Sequence, residues 1–249
     1  MQATHLDMQA ALAARAVLYG LLQRVFSEAP NQKLHEQENS EVVRESLHTY
    51  ARIAALFDIE KGSFETAAWP TVENIACNVV ETTLEGEYNR LFVGVGKPAV
   101  CVWESVLLSG NPALFQINTL EVRRFYERYD LRSRDCPRTA DDHIAIELAF
   151  LRELAIRVIS LQKGARFEEG DCEPGGGCSS MPLDMVLDRE LRDLLRAQAD
   201  FLREHLGMWA DGFAEQVVEQ DRSGYFCQYA RLLVSFVNVD QRVLAACLN

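Results

Sequence analysis

The stretch TADDHIAIELAF, residues 139–150, sets two adjacent carboxylates beside an imidazole at what reads as the first turn of a helix. Acids next to a histidine can move a proton, hold a metal, cap a helix or anchor a bound peptide. As a catalytic pair, Asp142 and His143 need a nucleophile or a metal frame, and neither G-x-S-x-G nor H-E-x-x-H occurs in the chain. As caps, Asp141 and Asp142 suit the positive end of a helix, and the same dipole lowers the pKa of His143. A neutral imidazole results, able to donate and to accept. Capping is the simpler of these readings.

Two further stretches carry candidate chemistry. CEPGGGC places five residues between Cys172 and Cys178, which is not a C-x-x-C knuckle, and no second ligand pair stands nearby. Two reduced, exposed thiols are the simpler reading, with a metal site or a reactive thiol pair as the alternative. VGVGKPA, residues 93–99, fails as a phosphate loop: Leu91 stands where glycine is required and Pro98 where a hydroxyl is. EYNRLFVG, residues 87–94, and Trp103 in VWESV supply aromatics that suit either a core or the wall of a groove.

The elements that must position these residues are helical. Apolar residues recur at three- and four-residue steps over about 6–26, 41–57 and 71–94. Residues 94–118 read as a Gly/Pro-punctuated connection, followed by a short helix through Tyr129. The clearest helix starts at a Thr139 cap, with Asp142 three residues on as a variant capping box, and stops at Gly164. Residues 164–187, glycine-rich and acidic, read as a flexible loop. Helices over about 188–206, 210–221 and 225–244 complete the chain. No alternating strand and no internal repeat is found, so an all-α globule of about eight to ten helices in a single domain over 1–249 is expected.

Composition narrows the function. The 25 Lys and Arg against 37 Asp and Glu leave a net charge of −12, which excludes a typical nucleic-acid binder and suits a basic partner. The N-terminus carries no basic n-region, and no run of about 18 apolar residues occurs, so neither a signal peptide nor a membrane span is expected. Seven cysteines at irregular spacing show no disulfide framework; reduced thiols and a cytoplasmic protein are the default.

EYNRLFVG resembles the aromatic-x-x-Leu-Phe-x-Gly signature of the TorD/DmsD/NarJ family of molybdoenzyme maturation chaperones, and most of all its TorD/DmsD branch. WESVLL resembles the segment that follows in that family, and DDHIAIELAFL resembles its Asp-His…Glu-Leu-x-Phe motif. RAVLYGLLQRVF near the start, and FLREHLGMWADGFAEQV and YFCQYARLLVSFV near the end, extend the likeness over nearly the whole chain. The resemblance implies an all-helical, non-catalytic cytoplasmic chaperone. It would bind the twin-arginine leader of a molybdopterin oxidoreductase and hold back export until the cofactor is loaded. It implies leader-binding roles for Tyr88, Leu91, Phe92, Trp103, Ser105, Asp142 and His143, and no catalytic or metal-binding residue. No cofactor is expected, although by the resemblance weak guanine nucleotide or molybdopterin binding stays open. The expected partner is the reductase or dehydrogenase catalytic subunit, with transient contact to the export machinery, the chain itself being monomer or dimer. Two alternatives stand beside this reading: a NarJ-type chaperone for an unexported nitrate reductase subunit, and a thiol- or metal-dependent protein using Cys172 and Cys178. Departures from the family pattern are Tyr88 where tryptophan is frequent, Val102 where some members have proline, and the CEPGGGC insertion.

Overall fold

The computed structural model describes residues 5–56, 81–94, 97–133, 139–168 and 183–248. Among them run ten α-helices and one π-helical turn, and the only β feature is an isolated bridge. The expected all-α architecture is what is observed.

Helix α1 (His5–Ser27) is the central element. Leu12, Leu18, Leu22 and Phe26 are buried, and so are Tyr19, Leu21 and Val25 on its other sides, so neighbours cover it nearly all round. It packs on α2 (Gln32–Glu38), α3 (Glu41–Leu56) and above all α7 (Ile144–Glu168). Asn31 caps α2, its Oδ1 accepting from Leu34 N at 3.1 Å. Helices α8 (Leu183–Glu204), α9 (Leu206–Gln220) and α10 (Phe226–Leu248) close the other side, α10 touching α1, α3, α8 and α9. One buried polar cluster ties three of these elements together. Asp240 of α10 accepts from Arg15 Nε at 2.6 Å, Tyr19 Oη at 2.5 Å and Tyr50 Oη at 2.6 Å, with every member fully buried.

Between α3 and α7 lie the shorter elements that carry the candidate site. Helix α4 (Glu81–Tyr88) widens into a π-helical turn over Asn89–Val93. It ends at Gly94, where φ is +69° and a Cβ would meet the Pro98 nitrogen at 2.7 Å, so only glycine fits there. Helix α5 (Glu104–Ser109) interrupts what the sequence presented as a plain connection, and α6 (Ile117–Glu127) follows.

Three boundaries differ from expectation. The clearest helix begins at Ile144, not at a Thr139 cap, because residues 141–143 are held across to the chain before α5. It continues past Gly164 to Glu168, glycine being tolerated inside a helix at a modest cost. With α8 starting at Leu183, the loop expected over 164–187 shrinks at both ends. Its centre, with Cys172 and Cys178, lies outside the described residues, as does the expected helical stretch before Glu81.

Candidate functional site

The Asp-Asp-His turn forms a short two-stranded contact with the residues entering α5. Trp103 and His143 form an isolated antiparallel bridge, Glu104 N donating to Asp142 O at 3.0 Å and Ile144 N to Val102 O at 2.9 Å. The Trp103 and His143 rings meet edge to face, with centroids 5.9 Å apart. Asp142 is fully buried, and its Oδ2 accepts from Ser105 N at 2.9 Å. It therefore satisfies an orphan amide of α5, whose formal cap, Trp103, has no side chain suited to that. His143 caps its own helix: Nδ1 accepts from Ala145 N at 3.1 Å. Burial lowers the His143 pKa to about 4, against the pull of Asp142, so the ring is a neutral acceptor near pH 7. Asp141, also buried, pairs with the half-buried Arg123, with Nε 2.5 Å from Oδ2, while its carbonyl accepts from Tyr126 Oη at 3.1 Å.

The turn does cap helices, but not as expected: Asp142 caps α5 and His143 caps α7, while Asp141, expected as a cap, pairs with Arg123. Asp142 is closed off from solvent, so it offers no exposed carboxylate to a guanidinium. Two buried polar atoms at this junction, Trp103 Nε1 and Asp142 Oδ1, have no hydrogen-bond partner among the described residues.

Of the seven residues expected at the site, Trp103, Ser105, Asp142 and His143 are brought together here. Tyr88, Leu91 and Phe92 are buried in an adjacent aromatic core, where Phe92 packs against Tyr88, Phe213 and Phe226. Burial pushes the Tyr88 phenol up to about 12. The two groups are joined through residues 97–102: Val100 N donates to Leu91 O at 3.0 Å, and Cys101 N to Gln216 Oε1 of α9 at 2.9 Å. These seven residues do not line one open groove.

Beneath the junction lies a polar network that sequence reasoning missed. Glu104 of α5 sits 3.2–3.3 Å from His205 Nδ1, and Glu147 of α7 accepts from Trp209 Nε1 at 3.1 Å. Burial, with the neighbouring Glu104, raises the Glu147 pKa well above the usual carboxylate range, favouring the protonated form. The available signal was a lone acid on the buried face of α7, flanked by Ile144, Leu148 and Leu151.

Outside the junction, α5 and α6 present an apolar surface. Leu108, Leu114, Phe115, Ile117 and Leu120 are all exposed, Ile117 by 73%. The loop between the helices is shaped to expose them. Gln116 Nε2 donates to Asn111 O at 3.0 Å and to Ala113 O at 2.7 Å, and Phe115 is held at φ +61°. A phenylalanine in the left-handed region is strained, and such strain concentrates at functional sites. Helix α9 lies alongside: a Cβ on Gly212 would stand 3.5 Å from Leu107, and Met208, one turn earlier, is 61% exposed. The neighbouring row of α9, Asp211, Glu215 and Glu219, is exposed and acidic.

No metal-holding group of His, Cys, Asp or Glu occurs among the described residues. Ser105 is buried and contacts Thr119 Oγ1 at 3.4 Å; burial raises the thiol pKa of Cys101. No described helix is long and apolar enough to cross a membrane.

Comparison with known proteins gives a consistent picture. The sequence profile described as "Nitrate reductase delta subunit" matches residues 63–215. A "Chaperone protein TorD" of Aliivibrio salmonicida is 23% identical over 231 residues, 93% of this chain and 94% of that protein. A TorD chaperone of Vibrio cholerae is 25% identical over 166 residues, 65% of this chain and 62% of its own. The "Selenate reductase assembly chaperone protein" of Thauera selenatis is 31% identical over 158 residues, 62% of this chain and 67% of its own.

Proposed function

Because the chain belongs to the nitrate reductase delta subunit family, which includes the TorD-type chaperones, we propose that it is a maturation chaperone for the catalytic subunit of a molybdopterin reductase. It binds that subunit's N-terminal twin-arginine leader and holds the subunit in the cytoplasm for cofactor insertion before export. The single observation that carries the leader is the exposed apolar surface of α5 and α6 beside the acidic row of α9. A leader is an apolar, helix-prone segment preceded by paired arginines. Leu108, Leu114, Phe115, Ile117 and Leu120 match the apolar part, and Asp211, Glu215 and Glu219 match the arginines.

In this reading the seven residues divide by burial. Trp103 and His143, only partly buried, border the leader. Ser105 and Asp142 set the start of α5, while Tyr88, Leu91 and Phe92 lie in the core, Phe92 against Phe213 of α9.

Titration of a fluorescent twin-arginine leader peptide tests this. Ile117→Asp and Phe115→Asp alter exposed side chains, so folding is expected to hold while affinity drops by about 1–3 kcal/mol each. A leader with both arginines replaced by glutamine should bind more weakly to the wild type. Wild-type affinity in both patch variants places the leader elsewhere. Capture of the mature catalytic subunit without its leader, at unchanged affinity, instead supports a chaperone of the NarJ type.

A further inference from the structure

A cleft of about 640 Å³, sharing no lining residue with the α5–α6 surface, opens between α1, the α2–α3 junction and α7. Its size lies within the range of small-ligand sites. Val17, Val43 and Ile156 give it apolar walls, and Arg24 and Arg152 are its charged residues; no Asp or Glu lines it. In a chain of net charge −12, arginines have ample carboxylates to pair with. Arg24 does so: Nε lies 2.7 Å from Glu28 Oε1, and Nη1 donates to Gln37 Oε1 at 2.7 Å, which fixes the guanidinium at the rim. Arg152 makes no hydrogen bond or ion pair with any described residue. The positions three and four residues away along α7, Leu148, Ala149, Ala155 and Ile156, carry no acid.

Gly20 explains how Arg152 is held without a polar partner. A Cβ at position 20 would stand 2.9 Å from Arg152 Nε and 3.2 Å from its Cδ, so the arginine stem lies across α1 where the side chain is missing. Glycine inside a helix is unfavourable unless close approach requires it, and here the close approach is that of a guanidinium laid along a cleft wall. A planar guanidinium with free donors matches a carboxylate or a phosphate in a paired, two-bond geometry.

We propose that this cleft binds a small organic oxyanion, its carboxylate or phosphate on Arg152 beside Arg24 and its apolar body against Val17, Val43 and Ile156. The site is separate from the α5–α6 surface and does not rest on the leader reading.

Calorimetric titration of the full chain with phenyl phosphate, benzoate and uncharged benzyl alcohol tests it. At least one anion is expected to bind saturably and the alcohol not. Stronger binding of phenyl phosphate identifies a phosphate ester as the ligand class, and stronger binding of benzoate a carboxylic acid. Arg152→Gln keeps the stem and removes the charge, and should weaken the anion by about tenfold or more. Its melting temperature and leader affinity should stay at wild-type values, since Arg152 is exposed. Gly20→Ala, which displaces the stem from α1, should weaken the anion with the charge still present. The proposal is overturned if neither anion binds, if all three probes bind alike, or if Arg152→Gln binds the anion as the wild type does.

Discussion

Asp142 shows how burial reassigns a residue whose type was read correctly. A carboxylate at a helix start, with a histidine beside it, suits either a cap or an arginine site, and the sequence cannot say which helix it caps. The structure turns Asp142 inward to Ser105 N and leaves it without exposure. Asp142→Ala is therefore expected to destabilise the fold by about 0.5–2 kcal/mol, and Asp142→Asn by less, in urea denaturation. His143 gives a second expectation at this scale. Its folded pKa, about 4, lies below the usual histidine value, so the unfolded chain binds more protons between the two values. Stability contributed here is present above the unfolded value and is lost as pH falls toward 4. His143→Asn can still accept from Ala145 N, and should flatten that acid limb when urea midpoints are followed from pH 7 to 4. An unchanged limb would assign it to other groups. Phe92 belongs to the core rather than to a contact surface, so Phe92→Ala reads on stability before it reads on binding.

At the scale of elements, the long helices were legible because each buries a periodic face of four turns or more. The ends of α1 and α3 fall within a residue or two of expectation. Short elements were not legible, for a physical reason. Helix α2 reads QKLHEQE with one buried leucine, and α5 is six residues long, so neither presents two turns of pattern. The start of α2 is fixed by the local cap at Asn31, and that of α5 by a tertiary hydrogen bond to Asp142. The polar pins between helices were equally invisible, since pairing Arg15 with Asp240 joins residues at opposite ends of the chain. Asp240→Ala leaves a buried guanidinium uncompensated and is expected to cost about 3–5 kcal/mol in denaturant unfolding. Replacing Arg15 and Asp240 together by methionine and leucine should cost less than that single change. The carboxyl pair under α5 behaves differently. Glu147 has a folded pKa raised far above its unfolded value, so its contribution is full below the ordinary carboxylate range and is lost as pH rises through the folded value. Glu147→Gln stays neutral and can still accept from Trp209 Nε1, so its stability should fall less than the wild type's between pH 5 and 9. Parallel pH profiles for the two proteins would show that Glu147 does not carry the proton.

For the whole molecule, the proposed function divides the labour of recognising a client between charge and apolar surface. The aromatic motifs that carried the family resemblance lie largely in the core, so they report the fold that displays a surface. The surface itself, Leu114 to Leu120, carried no motif and was read as part of a connection and a short helix. Exposure is a property of packing, and periodicity does not reveal it where two short helices meet around a strained loop. Under that proposal, apolar contacts of this kind would set how long a client stays, whereas a net charge of −12, acting at a distance, would set how fast a basic leader arrives. These contributions are separable. Neutralising the α9 row with Asp211→Asn, Glu215→Gln and Glu219→Gln should lower the association rate of a twin-arginine peptide and leave its dissociation rate nearly unchanged. The difference from wild type should shrink as ionic strength rises toward about 1 M, where the screening length falls to about 3 Å. Ile117→Asp should do the reverse, raising the dissociation rate at every salt concentration. Stopped-flow measurement of both variants at low and high salt distinguishes the two effects. If the triple variant dissociates faster and shows no salt dependence of its own, α9 contacts the leader through short-range hydrogen bonds, and steering by the acidic row is ruled out.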